Sequence, residues 1–169
     1  MPAEDATFRS SMRLLAGGVT IVASTFEGRR SGLTATAVCS LALSPPRILA
    51  SINMLGHTYG IVSRSNCMSV NLLAKDHERL AERFAAKRAA EDEDRFVIGE
   101  WKSGATGAPI LADALAALDC RVTRIIPLDT HAILIGVVED VLFGPRRSPL
   151  IHFEAGFTSI PHLLPERVS

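Results

Sequence analysis

Apolar residues along this chain recur at two periods, and the shorter one dominates. From Thr7 to Ala16 they fall at Phe8, Met12, Leu15 and Ala16, a helical spacing that Gly17-Gly18 ends. Val19 to Phe26 then reads as a β-branched strand, and Glu27 to Arg30 as a turn. Ser31 to Pro46, SGLTATAVCSLALSPP, is predicted as a strand of small and β-branched residues, stopped where Pro45-Pro46 interrupts pairing. Arg47 to Asn53 and Cys67 to Leu73 are further strands, separated by a short helix over Tyr59–Ser65 with Thr58 as its N-cap. Asp76 is positioned to cap a helix that reaches about Lys87, with Leu80 and Phe84 on one face. The charged stretch Lys87 to Arg95 reads as a solvated connection.

Two short apolar pieces, Phe96–Trp101 and Pro109–Leu111, flank the loop Ser103–Gly107. Two long β-rich runs follow, Leu115–Ile126 and His131–Phe143, joined by Pro127–Thr130. Leu150–Phe153 and Phe157–Ile160 form a closing hairpin about Ala155-Gly156, and the tail after Pro161 is expected to be poorly ordered. Many strands at short spacing with few helices predict a mainly β, closed antiparallel barrel rather than a doubly wound sheet. It would be one domain over 1–169 with a core over about 8–160. The two long strands are apolar on both alternating faces, so one face would fill the barrel and the other meet a partner.

Composition narrows the function classes. The 169 residues carry 18 basic and 18 acidic side chains, and a net charge of zero gives no electrostatic case for nucleic acid or an anionic membrane. The 47% hydrophobic content and mean hydropathy of +0.23 point to a buried subunit contact, a rich core being the alternative. Cys39, Cys67 and Cys120 lie inside apolar runs with no Cys-x-x-Cys, which suits buried free thiols in a reducing compartment. The amino terminus does not resemble a signal peptide, and the longest apolar run is broken by Glu139-Asp140, so the expected location is cytoplasmic.

Several chemistries lack their motif. There is no Gly-x-Gly-x-x-Gly after a strand, no P-loop, no His-Glu-x-x-His and no Gly-x-Ser-x-Gly. The five histidines, at 57, 77, 131, 152 and 162, show no metal-ligand spacing, so no metal site is expected. Asp76-His77-Glu78 reads as surface capping of a helix start. Small residues at Thr34–Val38 leave the backbone reachable, suiting a strand beside something flat or an ordinary strand with a small-residue face.

A set of short pieces in order carries a resemblance. They are GLTATAVCS at Gly32–Ser40, SPP at Ser44–Pro46, SVNLL at Ser69–Leu73, RFA at Arg83–Ala85 and RF at Arg95–Phe96. Trp101, ATGAPIL at Ala105–Leu111, DTHAILIG at Asp129–Gly136 and PLIHF at Pro149–Phe153 complete it. Together they resemble the flavin reductase family of FMN-binding split barrels. Within it they are most similar to the reductase component of 4-hydroxyphenylacetate 3-monooxygenase, with a likeness also to the cob(II)yrinic acid diamide reductase branch.

The resemblance implies a homodimeric split β-barrel, Greek-key-like, with a few short flanking helices and FMN or FAD lying along Thr34, Ala35, Thr36 and Ala37. Ser51, Ile52 and Asn53 would line the ribityl chain, and Asn71 joins the cofactor-binding set. The phosphate would sit near Thr58. The family's Ser-x-Thr is here Gly56-His57-Thr58, so His57 or the Gly56 amide would take the missing contact. Arg83 and Lys87 would lie nearby. His131 would hold the nicotinamide ring of NADH or NADPH over the flavin; the family's Gly-Asp-His is here Asp129-Thr130-His131. His152, Phe153 and Phe157 would cover the nicotinamide, while Phe96 and Trp101 would be core or dimer-contact aromatics.

The implied activity is an NAD(P)H:flavin oxidoreductase supplying reduced flavin to the oxygenase of a two-component monooxygenase. The alternatives are a flavoprotein reducing a corrinoid or ferric chelate, and a flavin-binding module without catalysis.

Overall fold

A computed structural model describes residues 1–86 and 92–161. In chain order the elements are α1 (Asp5–Arg13), β1 (Gly17–Gly18), β2 (Thr20–Phe26), β3 (Arg29–Ala35), β4 (Val38–Leu43), β5 (Pro46–Asn53), α2 (His57–Ser65) and β6 (Cys67–Leu72). A 3₁₀ turn over Lys75–His77 leads into α3 (Glu78–Ala85), and a second 3₁₀ turn covers Asp92–Val97. β7 (Trp101–Ser103), β8 (Pro109–Leu111), β9 (Ala116–Leu128), β10 (His131–Phe143), β11 (Leu150–Phe153) and β12 (Gly156–Ser159) complete the fold. Most of the charged connection predicted at Lys87–Arg95, Lys87 itself included, lies outside the described residues, as does the tail from His162.

Seven strands form one antiparallel sheet in the order β3-β2-β6-β9-β10-β5-β4. Its two edges, β3 and β4, are neighbours in sequence, separated only by Thr36 and Ala37. At roughly 3.3 Å per residue, that link holds the ends of the two edges about 10 Å apart, so the sheet must roll up. It rolls into a barrel that is split between its edges rather than closed by pairing. Here the single strand predicted over Ser31–Pro46 breaks in two: β3 pairs with β2, β4 pairs with β5, and the chain crosses from one edge to the other. The crossing is fixed by Val38 N–H donating to Thr36 O (3.0 Å) and Ser51 N–H to Ala37 O (2.9 Å).

One core fills the barrel with Val22, Ala50, Ile52, Met68, Val70 and Leu134, all at most 1% exposed. A second lies between the sheet and the outer elements, around Ile21, Leu73, Leu80, Phe84 and Leu111. Phe84, Phe96 and Trp101 meet there with ring centroids 4.9–5.4 Å apart, which places both predicted aromatics in or against the core. Gly32 is where β3 passes under Phe84: a Cβ at Gly32 would lie 2.8 Å from that ring. Cys67 and Cys120 are buried, and burial first, then the charges of Asp119 and Glu139, pushes the Cys120 thiol up to about 12. Cys39 departs from expectation: β4 is an edge strand, so its outer face is exposed.

Helix starts also differ from the sequence reading. α2 begins at His57 with Gly56 as N-cap, because Thr58 is buried and turned toward β3. α1 buries none of its residues and ends at Arg13, leaving Leu14 and Leu15 exposed. His77 is not on the surface. Its Nδ1 accepts the Ala74 N–H (3.2 Å), its Nε2 lies 3.0 Å from Asp113 Oδ2, and Arg147 joins Asp113 to Asp76. This network ties the approach to α3 to two loops, those before β9 and before β11.

Burial raises the Asp113 pKa, but hydrogen bonding and charge from His77, together with Arg147, outweigh it, and the carboxyl sits below its ordinary 3.8. A lowered folded value means its contribution to stability is present above the unfolded value and lost as pH falls through the folded one. Asp113→Asn should therefore be less stable than the parent above the unfolded carboxylate range, by a margin that shrinks below about pH 4, in urea unfolding followed across pH.

Candidate functional site

A cavity of about 750 Å³ lies against the crossing between β3 and β4. Its wall begins with Leu33 to Ala37, the end of β3 and the crossing, where Ala35 and Ala37 contribute only methyl groups. Ser51, Ile52 and Asn53 at the end of β5 form the next side. Leu55, Gly56, His57 and Thr58, at the entry to α2, form one end. Phe84, Ala85 and Ala86 at the exit of α3, with Arg95, form the opposite side, and His131 enters at the start of β10.

Local pairing explains this convergence. His131 is directly opposite Asn53 in the β10–β5 register, so the hairpin turn after β9 and the loop after β5 meet at one rim. Met54 N–H donates to Thr130 O (3.0 Å), fixing that junction. Ser31 Oγ lies 2.9 Å from Thr58 Oγ1, a buried hydroxyl pair joining β3 to the first turn of α2. The Thr34 hydroxyl donates to Ala81 O (2.6 Å), so it docks α3 on β3 rather than pointing at a ligand.

Of the residues singled out in the sequence, Thr34, Ala35, Thr36, Ala37, Ser51, Ile52, Asn53, His57, Thr58 and His131 line this one cavity. Five others do not. Asn71 is fully buried in the second core, where its amide donates to Ile21 O and Ser69 Oγ and its Oδ1 accepts the Leu111 N–H, cross-linking β2, β6 and β8. Arg83 turns its guanidinium to Asp94 O. His152, Phe153 and Phe157 belong to the hairpin that pairs with β1, where Phe157 packs on the second core and lies edge-to-face to His152 at 5.9 Å.

Arg95 and Gly56 line the cavity although the site reading gave Arg95 no role. The Arg95 guanidinium donates to Gly32 O (2.8 Å), Phe84 O (3.3 Å) and Ala86 O (2.8 Å), which holds a cation at the exit of α3. Its motif, Arg95-Phe96, was legible in the sequence; its position against β3 was not. Among the described residues no cluster of His, Cys, Asp or Glu could hold a metal ion.

A split antiparallel barrel with a slot walled partly by small residues defines a class: β-barrel proteins with a cofactor-sized site beside the crossing of the barrel. The slot suits a cofactor in size, being within the roughly 300–1,000 Å³ of cofactor sites. The chain belongs to the family described as flavin reductase like domain, whose model matches residues 12–161. It is 37% identical over 153 residues to an FMN reductase (NADH), RutF, of Ancylobacter novellus, covering 90% of this chain and 83% of that one. It is 33% identical over 150 residues to the 4-hydroxyphenylacetate 3-monooxygenase reductase component of Pseudomonas aeruginosa, covering 89% and 88%. Among solved structures it superposes with a TM-score of 0.87 on BorF, the flavin reductase component of a bacterial two-component tryptophan halogenase. That match is 27% identical and covers 94% of this chain and 99% of the other.

Replacing Asn71 with Ala should strand the Leu111 N–H, which its Oδ1 accepts, in the core. The expected loss is about 1–3 kcal/mol for the group left without a partner, read by denaturant unfolding of the flavin-free protein.

Proposed function

We propose that this protein is an NADH:flavin oxidoreductase that hands reduced flavin to a separate oxygenase. The observation that carries the reading is the cavity at the barrel split, where a wall of methyl-sized side chains and His131 border the same space. The FMN reductase (NADH) relative favours FMN and NADH, and the monooxygenase reductase relative favours release to an oxygenase.

Bound flavin supplies the redox chemistry, taking hydride from the reduced nicotinamide. The chain supplies position. Ala35 and Ala37 let a planar ring approach the backbone, and Ser51 to Asn53 border the adjoining polar chain. The first-turn amides of α2 at His57 and Thr58, the Ser31–Thr58 hydroxyl pair and the Arg95 cation together suit a phosphate. His131 is exposed at the cavity rim, within reach of a second, exchangeable ligand. Its work is to hold the nicotinamide ring, since hydride transfer itself asks no proton of it.

The same reading includes a homodimer. Edge strand β4 exposes Leu41 (46%) and Leu43 (89%), and the far end of β10 exposes Val141, Leu142 and Phe143 (78%). A bare apolar edge invites pairing with another chain. Sedimentation should give a species of twice 18.1 kDa. A monomer at micromolar concentration would remove this part. The proposed location is the cytoplasm, which suits three free thiols, one of them exposed. Among the described residues no helix is long and apolar enough to cross a membrane.

The activity is tested by NADH oxidation with added FMN or FAD, and anaerobically by bleaching of bound flavin. No oxidation with either flavin would overturn the reading. Tight, stoichiometric flavin retention on gel filtration would move the role toward a reductase of an external metal complex. His131→Ala should raise the NADH KM by about 10-fold or more while changing the flavin Kd less than about 3-fold, the scale of losing hydrogen bonding to a charged or strongly polar group. Equal loss of both would misplace His131.

A further inference from the structure

Resting on the reading of His131 as the nicotinamide contact, we infer that Thr130 is a positioning residue that fixes which nitrogen of His131 carries the proton facing the cavity. Thr130 Oγ1 lies 2.8 Å from His131 Nδ1. Among the described residues this hydroxyl is the hydrogen-bonding side chain on the ring. The pair allows two arrangements, the hydroxyl donating to Nδ1 or accepting from it; the first leaves Nδ1 unprotonated and the proton on Nε2, and it is the arrangement this inference assigns. Nε2–H is then a donor, the polarity needed to meet a carboxamide oxygen or a diphosphate oxygen of a nicotinamide dinucleotide. The opposite tautomer would present a lone pair to those oxygens and repel them.

The backbone around Thr130 is unusually determined for a hairpin turn. Asp129 takes up the reversal with φ +49°. His131 is paired on one side with Leu128 and on the other with Asn53. The Thr130 carbonyl accepts the Met54 N–H from the loop before α2. The side chain is β-branched, so its χ1 is restricted and little rotamer freedom is lost in holding the ring. The turn therefore presents the hydroxyl to a ring whose own strand is locked on both edges. Asp129 is exposed beside it, and His57 and Arg95 line other sides of the cavity.

The test uses nitrogen-15 histidine labelling of the whole protein, with His131 identified by the signal missing from His131→Ala. The parent should show Nε2 protonated and Nδ1 bare at neutral pH. Thr130→Val should give a mixture of tautomers, and Thr130→Ser should keep the parent pattern. In steady state Thr130→Val should raise the NADH KM about 3–10-fold, the size of one neutral hydrogen bond, with kcat and flavin Kd changed less than about 2-fold. Thr130→Ser should rescue it. The double variant Thr130→Val, His131→Ala should be no worse than His131→Ala alone, because Thr130 acts only through the ring. A parent protonated on Nδ1, an unchanged KM in Thr130→Val, or additive losses in the double variant would each overturn the inference. If His131→Ala leaves the NADH KM unchanged, the nicotinamide reading fails, and the tautomer spectra still decide whether Thr130 holds the ring.

Discussion

The structure depends on a covalent constraint on a sheet. The seven strands end in β3 and β4, and those two edges are joined by Thr36 and Ala37. A flat or gently twisted sheet of that width would hold its edges tens of ångströms apart, at nearly 5 Å per strand spacing. The link leaves only about 10 Å, so the sheet curls until its edges face each other. The linking residues run from edge to edge and do not complete a ladder, and the seam stays open. The cavity lies against this crossing, bordered by the ends of β3 and β5, the start of β10 and the two helices.

Everything functional in the reading follows from what borders the seam. The crossing has small side chains because anything larger would occupy the slot. The β10–β5 register brings His131 to the same rim as Asn53. The helices serve the site from outside: the Ser31–Thr58 pair seats α2 by its first turn, and the Thr34–Ala81 hydrogen bond seats α3 on β3. Arg95 closes the far side by gathering carbonyls from β3 and the exit of α3. Further out, the His77–Asp113–Arg147 network anchors the approach to α3, so a surface-looking acidic motif contributes to the placement of a cavity wall.

Asn71, expected among the cofactor-binding residues, and two glycines make their contacts within the protein itself. Gly32 makes room for Phe84. Gly17 makes room for Thr36, whose Cβ would lie 3.1 Å from an added methyl group. Asn71 satisfies three backbone and side-chain partners in the core.

The strand content, the near-boundaries of most strands and the small-residue stretch over Thr34–Ala37 were legible in the chain, because alternation, turn residues and side-chain size are local properties. His131 and the α2 entry were reachable through motif order alone. The break at Thr36–Ala37 was not legible, since β3 pairs back to β2 and β4 forward to β5 while local composition runs unbroken through both. The same reason hid His77 and Asn71, whose burial is decided by Asp113, Arg147, Ile21 and Leu111, all far off in sequence. Arg95 joined the cavity for that reason too: it gathers carbonyls of β3 and the exit of α3, which carry no sequence signal.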